Sequence, residues 1–228
     1  MPRARHNSNI RRTAAANGND GSGCLRSGCA LQFVLPPLAV LLVGALLAIF
    51  AVQVPVQATP LQSPNMNLAP LFTPEVSFWS ASILRWAVAS NLDPNLVAVI
   101  MQIESCGNPD AKSSAGAMGL FQVMPFHFFI IDNPYDPDTN AARGLAYLRR
   151  SLDAANGQVG LALAGYNAGI SVITSGARPA ETVRYIYWGE GIYSDAAQGL
   201  GESPRLKEWL NAGGAGLCRQ AGIRLGLN

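Results

Sequence analysis

Residues 93–107 read Asp-Pro-Asn-Leu-Val-Ala-Val-Ile-Met-Gln-Ile-Glu-Ser-Cys-Gly. Leu96, Val99, Ile100 and Ile103 recur at helical spacing, and Glu104 continues the row four residues after Ile100 and eight after Leu96. The carboxylate therefore points inward. Asp93 suits the N-cap, Pro94 the first helical position, and Gly107 the left-handed residue that closes the helix. Apolar surroundings disfavour the charged form of a carboxylate, so its pKa rises and it can hold a proton near neutral pH. A general acid needs that property. An ordinary structural acid, its charge met by a neighbour or by backbone amides, is the competing reading of Glu104 taken alone.

The residues after Glu104 change the balance. Residues 104–125, ESCGNPDAKSSAGAMGLFQVMP, form a polar stretch studded with glycine, in which Gly116 and Gly119 allow tight backbone geometry. It is not a phosphate loop, since it lacks a Gly-Lys-Ser/Thr ending. Farther on stand Ala164-Gly165-Tyr166-Asn167-Ala168-Gly169 and Pro179-Ala180-Glu181-Thr182-Val183-Arg184-Tyr185-Ile186.

These three elements, in this order, resemble the catalytic motifs of the lytic transglycosylases, soluble-lytic-transglycosylase-like enzymes related to goose-type lysozyme that cleave peptidoglycan. The second departs from the pattern at Gly165, where alanine is usual. The resemblance implies a lysozyme-like helical domain in which Glu104 cleaves the MurNAc-GlcNAc β-1,4 bond, first as acid and then as base. The sugar's own 6-hydroxyl would capture the anomeric carbon, leaving a 1,6-anhydromuramoyl end. It further implies that Ser113, Gln122 and Met124 line the sugar groove. Tyr166 would lie beside the acid, placed to hydrogen-bond it or the reacting sugar, Asn167 of the same motif would contact substrate, and Tyr185 would lie at the groove. Such chemistry implies no metal or organic cofactor.

The residue types leave plainer roles open: a turn residue at Ser113, core filler at Met124, and half-buried tyrosines with satisfied hydroxyls at 166 and 185. Glycoside cleavage usually employs a second carboxylate. Asp110, Asp132, Asp136, Asp138, Glu181 and Glu190 are the nearby ones, and Glu181 reads as structural, bonding backbone amides near the loop. His127 is the one histidine outside the N-terminal tail, which disfavours a histidine-rich metal site. Cys106 and His127 have no recognisable peptidase flanks.

The chain has 228 residues, 49% of them hydrophobic and 13% charged, with a net charge of +2. That allows one ordinary soluble domain and a smaller appendage. Arg3, Arg5, Arg11, Arg12 and Arg26 face only Asp20 before residue 30, and residues 30–54 then contain no charge. Such a run, longer than the roughly 20 residues a helix needs to cross a bilayer, reads as a single span, with Pro36 and Pro37 delaying its regular start. The arginines place residues 1–29 in the cytoplasm as a basic tail and the C-terminal part outside. Membrane-surface or DNA binding by the tail is a weaker reading, because these arginines already serve orientation, and no nucleic-acid partner is expected. A cleavable signal peptide is the competing reading, since Val56-Gln57-Ala58 resembles a cleavage site, and the protein would then be secreted.

Residues 55–72 read as an uncharged linker and 73–228 as the catalytic domain. Helix starts are expected at Thr73-Pro74, with an inner face of Val76, Trp79, Ile83 and Ala87; at Asp136-Pro137, with Ala141, Leu145, Leu148 and Leu152 inward; and at Ser203-Pro204, ahead of Leu206, Trp209 and Leu210. Arg149 and Arg150 suit the C-terminal end of the second of these helices. No sustained alternation argues for a sheet. The fold class is all-α. Cys106 and Cys218 are the only thiols on the exported side and are expected to pair, whereas Cys24 and Cys29 are expected to stay reduced.

The functional expectation is a membrane-anchored peptidoglycan lytic transglycosylase whose partners are glycan strands and, through the span, the bacterial cytoplasmic membrane. A hydrolytic muramidase and a non-catalytic peptidoglycan-binding protein are the alternatives.

Overall fold

The computed structural model describes residues 67–227. The expected basic tail, membrane span, most of the linker, Cys24 and Cys29 lie outside the described residues. Within them, no helix is long and apolar enough to cross a membrane.

The domain is built on one central helix. Helices α1 (Pro74–Ser77) and α2 (Ser80–Ser90) lead into α3 (Pro94–Glu104), which packs against both and against the later helix α7 (Ala180–Ala197). Between them run a long loop with a 3₁₀ turn at Pro125–His127, then α4 (Pro137–Ala154), α5 (Val159–Ala168) and the short α6 (Ser171–Ser175). Helix α5 lies against α4, α6 and α7. The chain ends in α8 (Pro204–Trp209), a π-helical stretch (Leu210–Gly214) and α9 (Ala215–Leu225), which returns to α1. The described residues contain no strand, only isolated antiparallel bridges from Met118 to Lys112 and to Val123.

Three helix starts obey the expected chemistry. Asp93 Oδ1 accepts from Asn95 N at 2.7 Å, Asp136 Oδ1 from Thr139 N at 2.8 Å and Ser203 Oγ from Leu206 N at 3.0 Å, each ahead of a proline that fits the first turn. The start at Thr73 differs. Its side chain makes no cap bond and turns to Gln102 Oε1 at 3.3 Å and the Cys106 sulfur at 3.3 Å. The single helix expected over Val76–Ala87 is broken at Phe78–Trp79 into α1 and α2, although Val76, Ile83 and Ala87 are buried as expected.

The stripe expected on α3 is too narrow: every residue from Pro94 to Gln102 is buried, because neighbours close on the helix from several sides. Only its last turn, Ile103 and Glu104, keeps contact with solvent. A helix buried all round with one open end delivers its final side chain to a cleft. The core also takes in Ala69, Leu71 and Phe72, from the segment read as linker, and Ala69 N donates to Asn95 Oδ1 at 2.9 Å.

Two reversals end α3. Cys106 and Gly107 both have positive φ, 51° and 84°. At Gly107 a Cβ would also stand 2.7 Å from the Glu75 carbonyl oxygen, so glycine is required there twice over. Cys106 and Cys218 form a disulfide that ties the end of α3 to α9.

Candidate active site

Glu104, the last residue of α3, opens into a cleft of about 570 Å³ between α3, α5, α7 and the α8 region. Ile103, Asn167, Glu181, Arg184, Tyr185 and Trp188 share its wall. Removal from water, the largest influence, pushes the Glu104 carboxyl up to about 7. A hydrogen bond from the Tyr185 hydroxyl to Glu104 Oε1, 2.7 Å long, opposes the rise, and the nearby charge of Glu181 adds to it. The acid is thus poised to give and retake a proton near neutrality.

The hydrogen bond to Glu104 comes from Tyr185 and not from Tyr166. Tyr185, expected only at the groove, holds the glutamate, whereas the Tyr166 hydroxyl donates to the Phe121 carbonyl at 2.8 Å. Burial, then the negative charge of Glu104, lifts both phenols well above their usual 10, so both remain donors. Tyr166 fits against α4 because residue 144 is glycine: a Cβ there would lie 3.1 Å from its hydroxyl and 2.7 Å from the Phe121 Cβ. Asn167 is fixed in the cleft by Thr182, whose hydroxyl donates to its Oδ1 at 2.7 Å.

Gln122, Met124 and Tyr166 meet in a second, smaller pocket of about 40 Å³, with Val123, His127 and Tyr147. Gln122 takes a left-handed backbone, φ 45°, uncommon for a residue with a side chain. Its Nε2 donates to the carbonyls of Ala111 at 3.2 Å and Gly119 at 3.0 Å, which braces the loop from within. Ser113 lines neither pocket. Its Oγ accepts from Ala117 N at 3.0 Å and its backbone pairs with the same residue, the work of a turn.

The loop rests on two buried polar side chains that sequence reasoning does not single out. Asn140 on α4 accepts from Phe121 N at 2.9 Å and donates to the carbonyls of Met118 and Pro134, each at 2.8 Å. Gly119, at φ 75°, is packed against the Asn140 amide so closely that no Cβ fits. Ser105 Oγ donates to the Leu120 carbonyl at 2.7 Å and accepts from Gly107 N at 3.1 Å, holding the loop over the end of α3. An Asn early in an amphipathic helix and a Ser beside a catalytic candidate carry no pattern that reveals such roles.

Glu181 also departs from expectation. It is exposed in the first turn of α7, makes no hydrogen bond to a backbone amide among the described residues, and faces the cleft with Glu104. Arg184, Trp188 and Trp209 are further wall residues that the sequence does not reveal. One cluster of possible metal donors occurs among the described residues, Glu75 with Cys106 and Cys218, but its two sulfurs are bonded to each other. A larger groove of about 660 Å³ between α2 and α4 contains one carboxylate, Asp138, which Trp86 and Arg85 hold below the usual range. No proton donor near neutrality stands there.

The cleft thus contains a buried carboxyl whose pKa lies near neutrality. Residues 81–184 match the family model Transglycosylase SLT domain. Over 102 residues the chain is 42% identical to the Transglycosylase of Enterobacteria phage PRD1, covering 44% of this chain and 38% of that protein. Over 83 residues it is 32% identical to Membrane-bound lytic murein transglycosylase E of Buchnera aphidicola, covering 31% of this chain and 38% of that protein. The chain therefore spans well under half the length of these curated relatives. A crystal structure of an inactive mutant of the lytic transglycosylase Slt from Pseudomonas aeruginosa is 26% identical, with a TM-score of 0.44 over 55% of this chain and 25% of that one.

Proposed function

We propose that this protein is a peptidoglycan lytic transglycosylase, that Glu104 is its acid and then its base, and that residues 30–54 anchor it with the catalytic domain outside the cytoplasmic membrane. The observation that carries the reading is the Glu104 carboxyl at the cleft floor, pushed up to about 7 and held by Tyr185. The SLT domain match and the two curated relatives support the substrate class, and the name of the second supports a membrane location.

In the proposed reaction Glu104 gives its proton to the glycosidic oxygen as the bond from that oxygen to the anomeric carbon of MurNAc breaks. The sugar's 6-hydroxyl oxygen bonds to that carbon, and its proton passes to the Glu104 carboxylate, restoring the acid. No water is consumed. Tyr185 keeps the carboxyl oriented through both transfers, and Asn167, held by Thr182, is placed to bind the sugar. Gln122, Met124 and Tyr166 continue the binding surface, whereas Ser113 serves the turn that shapes it.

The presence of Glu181 in the same cleft favours one alternative: a hydrolase in which this second carboxylate activates water. Digestion of peptidoglycan in ¹⁸O-labelled water separates the two. The transglycosylase yields 1,6-anhydro ends without label. Labelled reducing ends would move the assignment to a muramidase.

A further inference from the structure

The segment from the 3₁₀ turn to the start of α4 carries an apolar face that the cleft around Glu104 does not use. Phe126, Phe129, Ile130 and Ile131 are 74%, 65%, 102% and 89% exposed. Four large apolar side chains held in water within six residues exceed the scattered exposure of ordinary surfaces and mark a contact with something apolar.

The loop is built to keep this face outward. Phe128 packs against the core at its base. Asp132 accepts from Phe129 N at 2.9 Å and pairs with Arg143 at 2.7 Å and 3.0 Å. The Arg143 guanidinium lies 4.1 Å from the Phe129 ring centre. Asp132, the only carboxylate from Phe126 to Asp132, is thereby neutralised at the root of the loop while Ile130 stands free at its apex.

We infer that Phe126 and Phe129–Ile131 insert into the headgroup and upper acyl region of the membrane that carries the chain, seating the catalytic domain on the bilayer. The inference rests on the reading of residues 30–54 as an anchor. Shape favours lipid over a protein partner, because the tip is convex and fully exposed at its apex, whereas a protein contact presents a broader patch. Reach favours it too. Twelve residues, 55–66, separate the apolar run from the described domain, and at full stretch they span about 40 Å. If residues 30–54 are the anchor, a linker of that length sets an upper limit on how far the described domain can stand from the bilayer. The same loop begins at Met124 and His127, which line the small pocket beside the cleft, so insertion would present the site to glycan close to the membrane surface.

The full chain, reconstituted in phosphatidylethanolamine–phosphatidylglycerol vesicles, tests this with a benzophenone amino acid in place of Ile130 and, separately, of Val88, an exposed apolar residue on α2. An unchanged melting curve verifies that each variant is folded. The expected result is a lipid adduct at Ile130 roughly tenfold above that at Val88, in chains that resist carbonate extraction. Adducts joining two copies of the chain, equal lipid yields at the two positions, or no lipid adduct at Ile130 would overturn membrane seating while leaving the anchor intact. Chains washed from the vesicles by carbonate would overturn the anchor and the seating together.

Discussion

The Tyr185 hydroxyl donates to Glu104 Oε1 at 2.7 Å, joining residues 81 positions apart across the packing of α7 on α3. This bond favours the charged carboxylate, whereas burial and Glu181 favour the protonated acid. The balance near 7 is the product of these opposed influences, and each can be removed singly.

Tyr185→Phe deletes the influence that lowers the Glu104 pKa. With Glu104 as the acid, the alkaline limb of kcat/KM is expected near pH 7 in the wild type and at higher pH in the variant. A loss of activity of roughly tenfold at the optimum should accompany it, because the acid loses its orienting partner. A pH–rate profile checks both.

Glu181→Gln deletes a charge that raises the Glu104 pKa, so the same limb should move the other way, to lower pH, with activity at pH 5 to 6 retained within a few-fold. A loss of about 100-fold or more across the whole profile would instead assign Glu181 to the chemistry.

Glu104 also acts on stability. Its pKa is about 7 in the fold and near 4.5 when unfolded, so between these values the native state holds more protons than the unfolded chain. Stability is therefore lost as pH rises from about 4.5 to 7, by about 3 kcal/mol in all, and the loss is complete above 7. Glu104→Gln removes the penalty. It is expected to stabilise the domain by up to about 3 kcal/mol at pH 8 and to leave it nearly unchanged at pH 4, as urea titrations at the two pH values would measure.

The Cys106–Cys218 disulfide joins residues 112 positions apart. Replacing both cysteines by serine should cost about 2–5 kcal/mol and lower the melting temperature by roughly 5–15 °C. Calorimetry of the oxidised, reduced and double-variant proteins checks the magnitude.

Gly144→Ala places a methyl group 2.7 Å from the Phe121 Cβ, 3.1 Å from Val123 Cγ2 and 3.1 Å from the Tyr166 hydroxyl. It should destabilise the domain by about 1–3 kcal/mol and loosen the bond from Tyr166 to the Phe121 carbonyl. Thermal melts and glycan-binding measurements on the same samples would register the two effects.

Local features of the chain are legible in its sequence. Asp93-Pro94, Asp136-Pro137 and Ser203-Pro204 mark true helix starts because a side-chain acceptor and a proline act within three residues of each other. Gly107 is read at the same short range, since a helix must reverse where it ends. The pairing of Cys106 with Cys218 is legible because only two thiols stand on one side of the expected membrane span. Where a distant partner decides, local pattern fails. Thr73 forsakes its cap for Gln102, Phe78–Trp79 breaks a helix whose spacing runs on without interruption, and α3 is covered on more sides than a row of four apolar residues implies. In the site, the importance of Glu104 can be argued from its helix and flanking loop, but which tyrosine bonds it depends on how α5 and α7 pack. Glu181 misleads for the same reason: its place in the first turn of α7 says nothing of the cleft it faces.

The most direct test of the central claim is digestion of purified peptidoglycan by the wild-type chain and by Glu104→Gln, with mass spectrometry of the released fragments. The expected result is 1,6-anhydromuramoyl ends, each lighter by one water than a hydrolytic product, from the wild type and none from folded Glu104→Gln. Anhydro ends released equally by Glu104→Gln would contradict the role of this residue, and reducing ends alone from the wild type would contradict the transglycosylase.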